Sequence, residues 1–424
     1  MFSCAICTLG CKVNQCESES IASQLKEQGY EIVDFSQKAD VYVINTCCVT
    51  AEGERKSRQM VRRALSKNKD ALIAVTGCAA QRTPQTFKQI EGVKIVAGNS
   101  KKGELVRLIK ENLDVIKVED LARFNKYIEL DDFIAEKTRA FVKIQDGCNN
   151  FCSYCIIPYV RGRECSRKLD NVVKQVKKLA DNGFKEIVLT GIHLSSYGKE
   201  FDLTLADAVE AVCSVDKIKR VRLGSLEQSI ITDEFLSRLK KQEKFCPQFH
   251  LSLQSGCDSV LKRMNRKYTA DEFFAATERI KKVFPLAAIT TDIITGFWSE
   301  TEQEFLQTKE FVKKVGFAQA HVFPYSEREG TVAAKQKDQI DKALRAQRAS
   351  ELILLCGELT DKYLKNFIGK NVEVLLETQD NEFADGISRE HIRVYLKEKQ
   401  APLNEIVNVK VKGLFKDGVL GERV

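Results

Sequence analysis

The chain has 424 residues, 43% of them apolar and 30% charged, with a formal net charge of +8. That length gives a prior of two or three domains, and the composition is that of a globular rather than a disordered protein. No apolar run approaches the roughly 18 residues of a membrane-spanning helix, and residues 1–11 lack the basic start and apolar stretch of a secretory signal. A cytoplasmic protein with no membrane partner is therefore expected. The positive charge suits an anionic partner such as RNA, and equally a basic protein that has none.

In chain order, residues 3–9 form a short apolar run and residues 16–28 have helical spacing through Ile21 and Leu25. Residues 31–35 and 40–45 read as strands, 50–68 as a helix, 71–76 and 94–97 as strands, and 100–113 as a helix. Such alternation implies a parallel sheet with helices on both faces. A second alternating series follows. Residues 140–145, 186–190, 220–224, 248–253, 287–294 and 319–323 read as strands, separated by helical patterns such as 171–180. Six β/α units are too few to close an eight-stranded barrel and predict an open, partial (β/α)6 barrel. Residues 336–366 read as one long helix. Beyond it, the runs 372–377, 392–396 and 406–414 are β-rich, with turn signals at Asp385-Gly386 and Asp417-Gly418. The expected organisation is an α/β chain in three parts: a parallel α/β sheet domain over 1–125, a barrel over 135–366, and a small β-barrel over 367–424. The charge of the last part is nearly balanced.

Fifteen cysteines cannot all pair with one another. In a reducing compartment, closely spaced cysteines signal metal or redox chemistry rather than disulfides. The sharpest pattern is Cys148-Asn149-Asn150-Phe151-Cys152-Ser153-Tyr154-Cys155. Three thiolates fit into one tight loop after the first strand of the second series, at the carboxyl end of the barrel strands, where catalytic groups collect. A cubane iron–sulfur cluster normally takes four Cys ligands; three leave one iron open to a substrate or cofactor. The alternative is a zinc knuckle, which wants a fourth ligand, and the nearest histidine, His193, is on the next strand.

Cys11, Cys47 and Cys78 each follow a strand of the first series. In an open parallel sheet, ligands gather at the carboxyl edge, so these thiols can converge on a second cluster. The alternative is three buried, inert thiols. Cys48, beside Cys47, leaves open which of the two is the ligand.

The three-Cys loop resembles that of the radical S-adenosylmethionine (SAM) superfamily, in which the open iron chelates SAM and the cluster cleaves it to a 5′-deoxyadenosyl radical. On this resemblance Cys148, Cys152 and Cys155 are the catalytic cluster ligands, and later strand ends supply the SAM-binding positions Gly191, Ser252, Gln254, Asp292, Gly296 and Phe323. An N-terminal three-Cys domain, a radical SAM barrel and a terminal β-barrel similar to the RNA-binding TRAM domain together resemble the methylthiotransferase family over essentially the whole chain. The segments Thr8-Leu9-Gly10-Cys11-Lys12-Val13-Asn14, Asn45-Thr46-Cys47-Cys48-Val49-Thr50 and Ile157-Pro158-Tyr159-Val160-Arg161-Gly162-Arg163 are most similar to the branch acting on threonylcarbamoyladenosine in tRNA. Other branches act on isopentenyladenosine in tRNA or on an aspartate of a ribosomal protein. A different class of reading is an iron–sulfur RNA-binding protein without catalysis.

The family resemblance implies two 4Fe–4S clusters, SAM as cofactor and methyl source, an external electron donor, and a methylthio group placed on C2 of the adenosine just 3′ of the anticodon. It implies no DNA partner. Single-stranded loops present splayed bases for such recognition. The candidate RNA-contacting residues are Arg55, Arg58 and Arg62 on one face of the helix after Cys47, together with Arg161 and Arg163, since guanidinium groups suit phosphates. The sequence departs from the family at Gln228, Trp298-Ser299, Glu327 and Glu329, and Trp298 raises the expectation of an altered SAM pocket.

Overall fold

The computed structural model describes residues 2–130 and 138–424. Its first unit is a parallel sheet of β1 (Ser3–Thr8), β2 (Glu31–Val33), β3 (Val41–Thr46), β4 (Leu72–Gly77), β5 (Val93–Ala97) and β6 (Val115–Lys117), in the order β2-β1-β3-β4-β5-β6. Every residue of β3 and β4 is buried, as a parallel sheet covered on both faces requires. Because the order reverses between β1 and β3, a crevice opens at their carboxyl ends. Two helices flank that crevice: α1 (Lys12–Glu27) and α2 (Ala51–Lys67). The hydroxyl of Thr50 accepts from the Gly53 N–H, and Glu52 and Glu54 place negative charge in the first turn of α2, both favourable at a helix start. The helix predicted over 100–113 begins instead as a 3-10 turn, Asn99–Glu104, and becomes α-helical only over Leu105–Lys110. Gly103 disfavours the longer helix. The three-residue β6 was too short to be legible in the sequence.

The second unit contains all six expected strands: β7 (Arg139–Lys143), followed by the two-residue β8 (Gln145–Asp146) and β9 (Cys165–Ser166) that pair with each other, then β10 (Glu186–Thr190), β11 (Arg220–Leu223) with β12 (Ser225–Leu226), β13 (Gln248–Leu251), β14 (Ala288–Thr295) and β15 (Gln319–Pro324). Gly224 interrupts the third strand and divides the barrel wall into two parallel half-sheets, β11-β10-β7 and β12-β13-β14-β15. One face of each strand carries Val142, Ile187, Leu189, Phe249, Leu251, Ile289 and Ile293 into a single large core with the outer helices. The other face carries Arg139, Phe141, Glu186, His250, Asp292, His321 and Phe323 in matching register. It is the inner face. The N-terminal domain leans on the barrel through α1, whose Cys16 Sγ donates to the Phe141 carbonyl at 3.3 Å. The barrel's expected boundary at residue 135 lies outside the described residues.

The long helix starts at Lys342 rather than 336, where Asp341 accepts from the Ala343 N–H, and runs to Lys365. The last unit is a closed barrel of β16 (Asn371–Gln379), β17 (Ala384–Ser388), β18 (Arg393–Leu396), β20 (Gly418–Arg423) and β19 (Ile406–Phe415). Asp417-Gly418 does make the β19–β20 turn. Asp385-Gly386 does not make a turn; both residues lie within β17. Glycine is needed there because a Cβ would stand 2.1 Å from the Leu375 carbonyl oxygen. This small barrel seals the amino end of the larger one. Arg220 donates to the carbonyls of Ile387 and Glu373, and Arg222 to those of Arg389 and Ser388, at 2.6–2.9 Å.

Candidate active site

The three-Cys loop leaves β8 through Gly147, whose φ of +69° and whose closeness to the Arg163 carbonyl (1.9 Å from a built Cβ) admit only glycine. The loop is pinned from the far side by the segment after residue 262. Ser153 Oγ donates to the Arg263 carbonyl at 2.7 Å, the Ser153 N–H to the Met264 carbonyl at 2.9 Å, and Asn265 Nδ2 to the Phe151 carbonyl at 2.9 Å. Arg266 Nη1 reaches the Cys152 Sγ at 3.2 Å. Burial pushes the Cys148 and Cys155 thiols up to about 12, and Cys152 adds to both. The three thiols thus act on one another within one partly buried loop. Among the described residues no three Cys, His, Asp or Glu side chains close around a single ion. Each thiolate of a cubane binds a different iron, so convergence on one point is not required. A thiol-only donor set, three per loop and no fourth, fits a cluster with an open iron.

Around the mouth, Gln145 ties the loop to the next strand. Its Nε2 donates to the carbonyls of Asp146 and Gly147, and its Oε1 accepts the His193 N–H at 2.7 Å. A Cβ on Gly191 would strike Gln145 at 2.9 Å. His193 lies between Glu164 (3.4 Å) and Glu227 (3.2 Å). Burial opposes a charge on this ring, but hydrogen bonds to the two carboxylates outweigh it and lift the imidazolium to about 9. Glu227 also pairs with Arg266 at 3.1 Å, completing a chain from Cys152 to His193. Ser252, Gln254, Asp292 and Phe323 lie toward the carboxyl ends of their strands; Gln254 has a φ of +69°, and Phe323 is 46% exposed. Gly296 is placed differently. It is buried, donates its N–H to the Glu300 carboxylate at 2.7 Å, and a Cβ would meet Arg345 at 2.4 Å. Its missing side chain lets the long helix pack. Trp298 likewise turns away from the mouth, packing beside Phe297 and under Arg263 in the apolar cluster that also holds Tyr154, behind the loop.

In the N-terminal domain, Cys11, Cys47 and Cys78 follow β1, β3 and β4, which are adjacent in the sheet. Gly10 and Gly53 make room for Cys47: a Cβ on Gly10 would be 3.0 Å from its Sγ, and one on Gly53 3.6 Å. Cys11 is exposed at the crevice. Cys78 Sγ accepts from Arg161 Nε at 3.3 Å and faces Asn99 Nδ2 at 3.7 Å. Cys48 is wholly buried. Its interaction with Cys78, helped by Arg161 and Lys102 against burial, holds the Cys78 thiol well below its ordinary range and drives the Cys48 thiol up.

Residues 3–98 match the Uncharacterized protein family UPF0004, and residues 142–312 match the Radical SAM superfamily. The threonylcarbamoyladenosine tRNA methylthiotransferase MtaB of Bacillus subtilis is 42% identical over 423 residues, covering 97% of this chain and 94% of that protein. The tRNA-2-methylthio-N(6)-dimethylallyladenosine synthase of Clostridium botulinum is 36% identical over 437 residues, covering 98% and 96%. This chain belongs to the radical SAM tRNA methylthiotransferase family. Among solved structures, the radical S-adenosylmethionine methyltransferase TsrM of Kitasatospora setae superposes with a TM-score of 0.60 at 14% identity, over 79% of this chain and 77% of that one, which shows the shared fold.

In this methylthiotransferase Arg161 cannot meet RNA. Its side chain has no exposed surface. It donates to Glu17 at 3.0 and 3.2 Å, to both oxygens of Asp146 at 3.1 Å, to Asn14 and to Cys78. Lys143 reaches the same two carboxylates, and Lys102 pairs with Glu17. Three cations and two carboxylates therefore fill the space between the two cysteine sites. Arg163, two residues on, stacks over Phe151 at 4.5 Å while its Nε donates to the Ala122 carbonyl. Arg55 is exposed and held bidentately by Glu52, Arg58 is half-buried near Glu54, and Arg62 is exposed. Sequence reading missed Gln145, three residues before Cys148, and also Glu227 and Arg266, which are remote along the chain from the thiol loop they hold.

Proposed function

We propose that the enzyme places a methylthio group on C2 of N6-threonylcarbamoyladenosine at position 37 of tRNA, beside the anticodon. The observation that carries this reading is the placement of two three-thiol sites at strand carboxyl ends, one in each α/β unit, joined through Arg161 and Asp146. The branch assignment is supported by the motifs around Cys11, Cys47 and Arg161 and by the higher identity to the threonylcarbamoyladenosine relative. Cys148, Cys152 and Cys155 hold one 4Fe–4S cluster; Cys11, Cys47 and Cys78 hold the second. Cys47 is assigned over Cys48 because Cys47 faces the crevice glycines while Cys48 has no exposed surface.

When bound, the barrel cluster with SAM supplies a radical strong enough to break the unreactive C2–H bond, and the second cluster supplies sulfur. The chain's own residues position and shield. Arg266 and Asn150 fix the thiol loop against Glu227, and the inner barrel face closes the site from below. Arg55, Arg58, Arg62 and Arg163 offer guanidinium groups to RNA phosphates, and an external donor supplies the electron. The test is reconstituted enzyme with reductant, SAM and an anticodon stem-loop carrying threonylcarbamoyladenosine. The RNA gains a methylthio group, and Cys11→Ala loses that product while still cleaving SAM reductively. A full yield of product from Cys11→Ala would defeat the assignment of two clusters.

A further inference from the structure

Lys12 begins α1 directly after Cys11, and its ammonium stands 5.6 Å from the centre of the Phe141 ring on the inner face of β7. The residue is exposed at the start of the helix. Among the described residues no carboxylate pairs with it. The charged groups acting on it are Arg139, Arg222 and Glu186. Glu186 is already taken: Arg222 holds it at 2.8 Å, Arg220 at 3.6 Å and Arg139 at 4.0 Å. Arg220 and Arg139 are in turn paired with Glu373 and Glu377. Five cations (Lys12, Arg139, Arg220, Arg222, Arg389) thus face three carboxylates (Glu186, Glu373, Glu377), and Lys12 is the one of the five without an ion pair. Asp292 lies nearer the carboxyl end of its strand, against His250 at 3.3 Å. His391, from the terminal barrel, is held at a φ of +62° toward the same group of Arg222, Arg139 and Lys12, and its Nδ1 is buried without a partner. An ammonium without a counter-ion and an unmet imidazole nitrogen therefore lie among the same basic residues of the inner barrel face. Their complement is an anion with oxygen acceptors, which gives the ammonium a counter-ion and the buried His391 nitrogen the hydrogen-bond partner it lacks.

We propose that Lys12, with His391 beside it, receives the carboxylate of the threonylcarbamoyl group and so selects this anionic nucleoside over one with a neutral N6 substituent. The inference rests on the substrate reading above. It makes Lys12 a specificity-determining residue, and its place after Cys11 anchors the nucleoside beside the second cysteine site.

The test compares two anticodon stem-loops, one carrying threonylcarbamoyladenosine and one carrying the same nucleoside with the threonine carboxylate converted to its amide. The readout is the ratio of kcat/KM for methylthio transfer, acid over amide, with iron content matched between enzymes. The wild type favours the acid by about 10–100-fold, as expected for a close charge pair. Lys12→Gln brings the ratio close to one, and Lys12→Arg preserves it. A wild-type ratio near one, an unchanged ratio in Lys12→Gln, or equal loss of the ratio in both variants would each overturn the inference. The wild-type ratio needs no variant, so the test survives a Lys12→Gln chain that fails to assemble. Methylthiolation of neither RNA by a wild type that still cleaves SAM would instead overturn the substrate reading, and this inference with it.

Discussion

Arg161 and Arg163 look interchangeable in the sequence, two basic residues just past a cluster loop. In the fold one turns inward and the other stacks outward, and only the partners at residues 14, 17 and 146 decide it. Those partners lie more than a hundred residues away or on another element, so no local pattern reports them. The thiols were legible because a cluster demands tight spacing or strand-end placement; their second ring of partners was not. Removing Arg161 leaves Glu17 and Asp146 buried with fewer partners. Such losses cost about 3–5 kcal/mol. Arg161→Met is expected to lower the melting temperature clearly and to reduce iron bound per chain; a variant as stable and as iron-rich as the wild type would contradict the network's role.

His193 gives a pH test at the same scale. Its imidazolium is raised from about 6.5 to about 9 by Glu164 and Glu227. Stability from that pair is therefore complete below about pH 6.5 and lost as pH rises through about 9, worth roughly 3 kcal/mol at most. Between pH 6.5 and 9.5 the wild-type melting temperature should fall more steeply than that of His193→Gln. Parallel curves would show that the imidazolium adds nothing.

At the scale of elements, the strands were the most readable part, because buried parallel strands are continuous apolar runs whose ends the turns mark. Glycine was the least readable punctuation. Asp385-Gly386 looks like a turn, yet the glycine is there to admit the neighbouring strand. Gly296 looks like a ligand-facing glycine, yet it makes room for Arg345. Gly77 is the case where position and function coincide. It joins β4 to α3 (Cys78–Arg82) with a φ of +94°, and a Cβ there would stand 2.5 Å from the Thr46 carbonyl oxygen. Gly77→Ala pays at least about 1–2 kcal/mol for the left-handed backbone and must shift Cys78 besides. The expected result is a lower melting temperature with loss of the iron assigned to the N-terminal site, while the barrel loop keeps its own. Undiminished iron would show that Cys78 is not held by that turn.

Over the whole molecule, three units share two interfaces, and charge sits at both. Glu17, Arg161 and Asp146 join the N-terminal sheet to the barrel; Arg220 and Arg222 join the barrel to the terminal one. The order of units could be read from hydrophobic periodicity and turn residues. How they close on one another could not, since buried arginines carry the closure and such residues read as surface in a sequence. The most direct test of the account is mass spectrometry of tRNA nucleosides from cells with and without this gene. When the gene is absent, 2-methylthio-N6-threonylcarbamoyladenosine is expected to be replaced by its unthiolated precursor. Persistence of the methylthio nucleoside at its normal level, in cells with no second gene of this family, would contradict it.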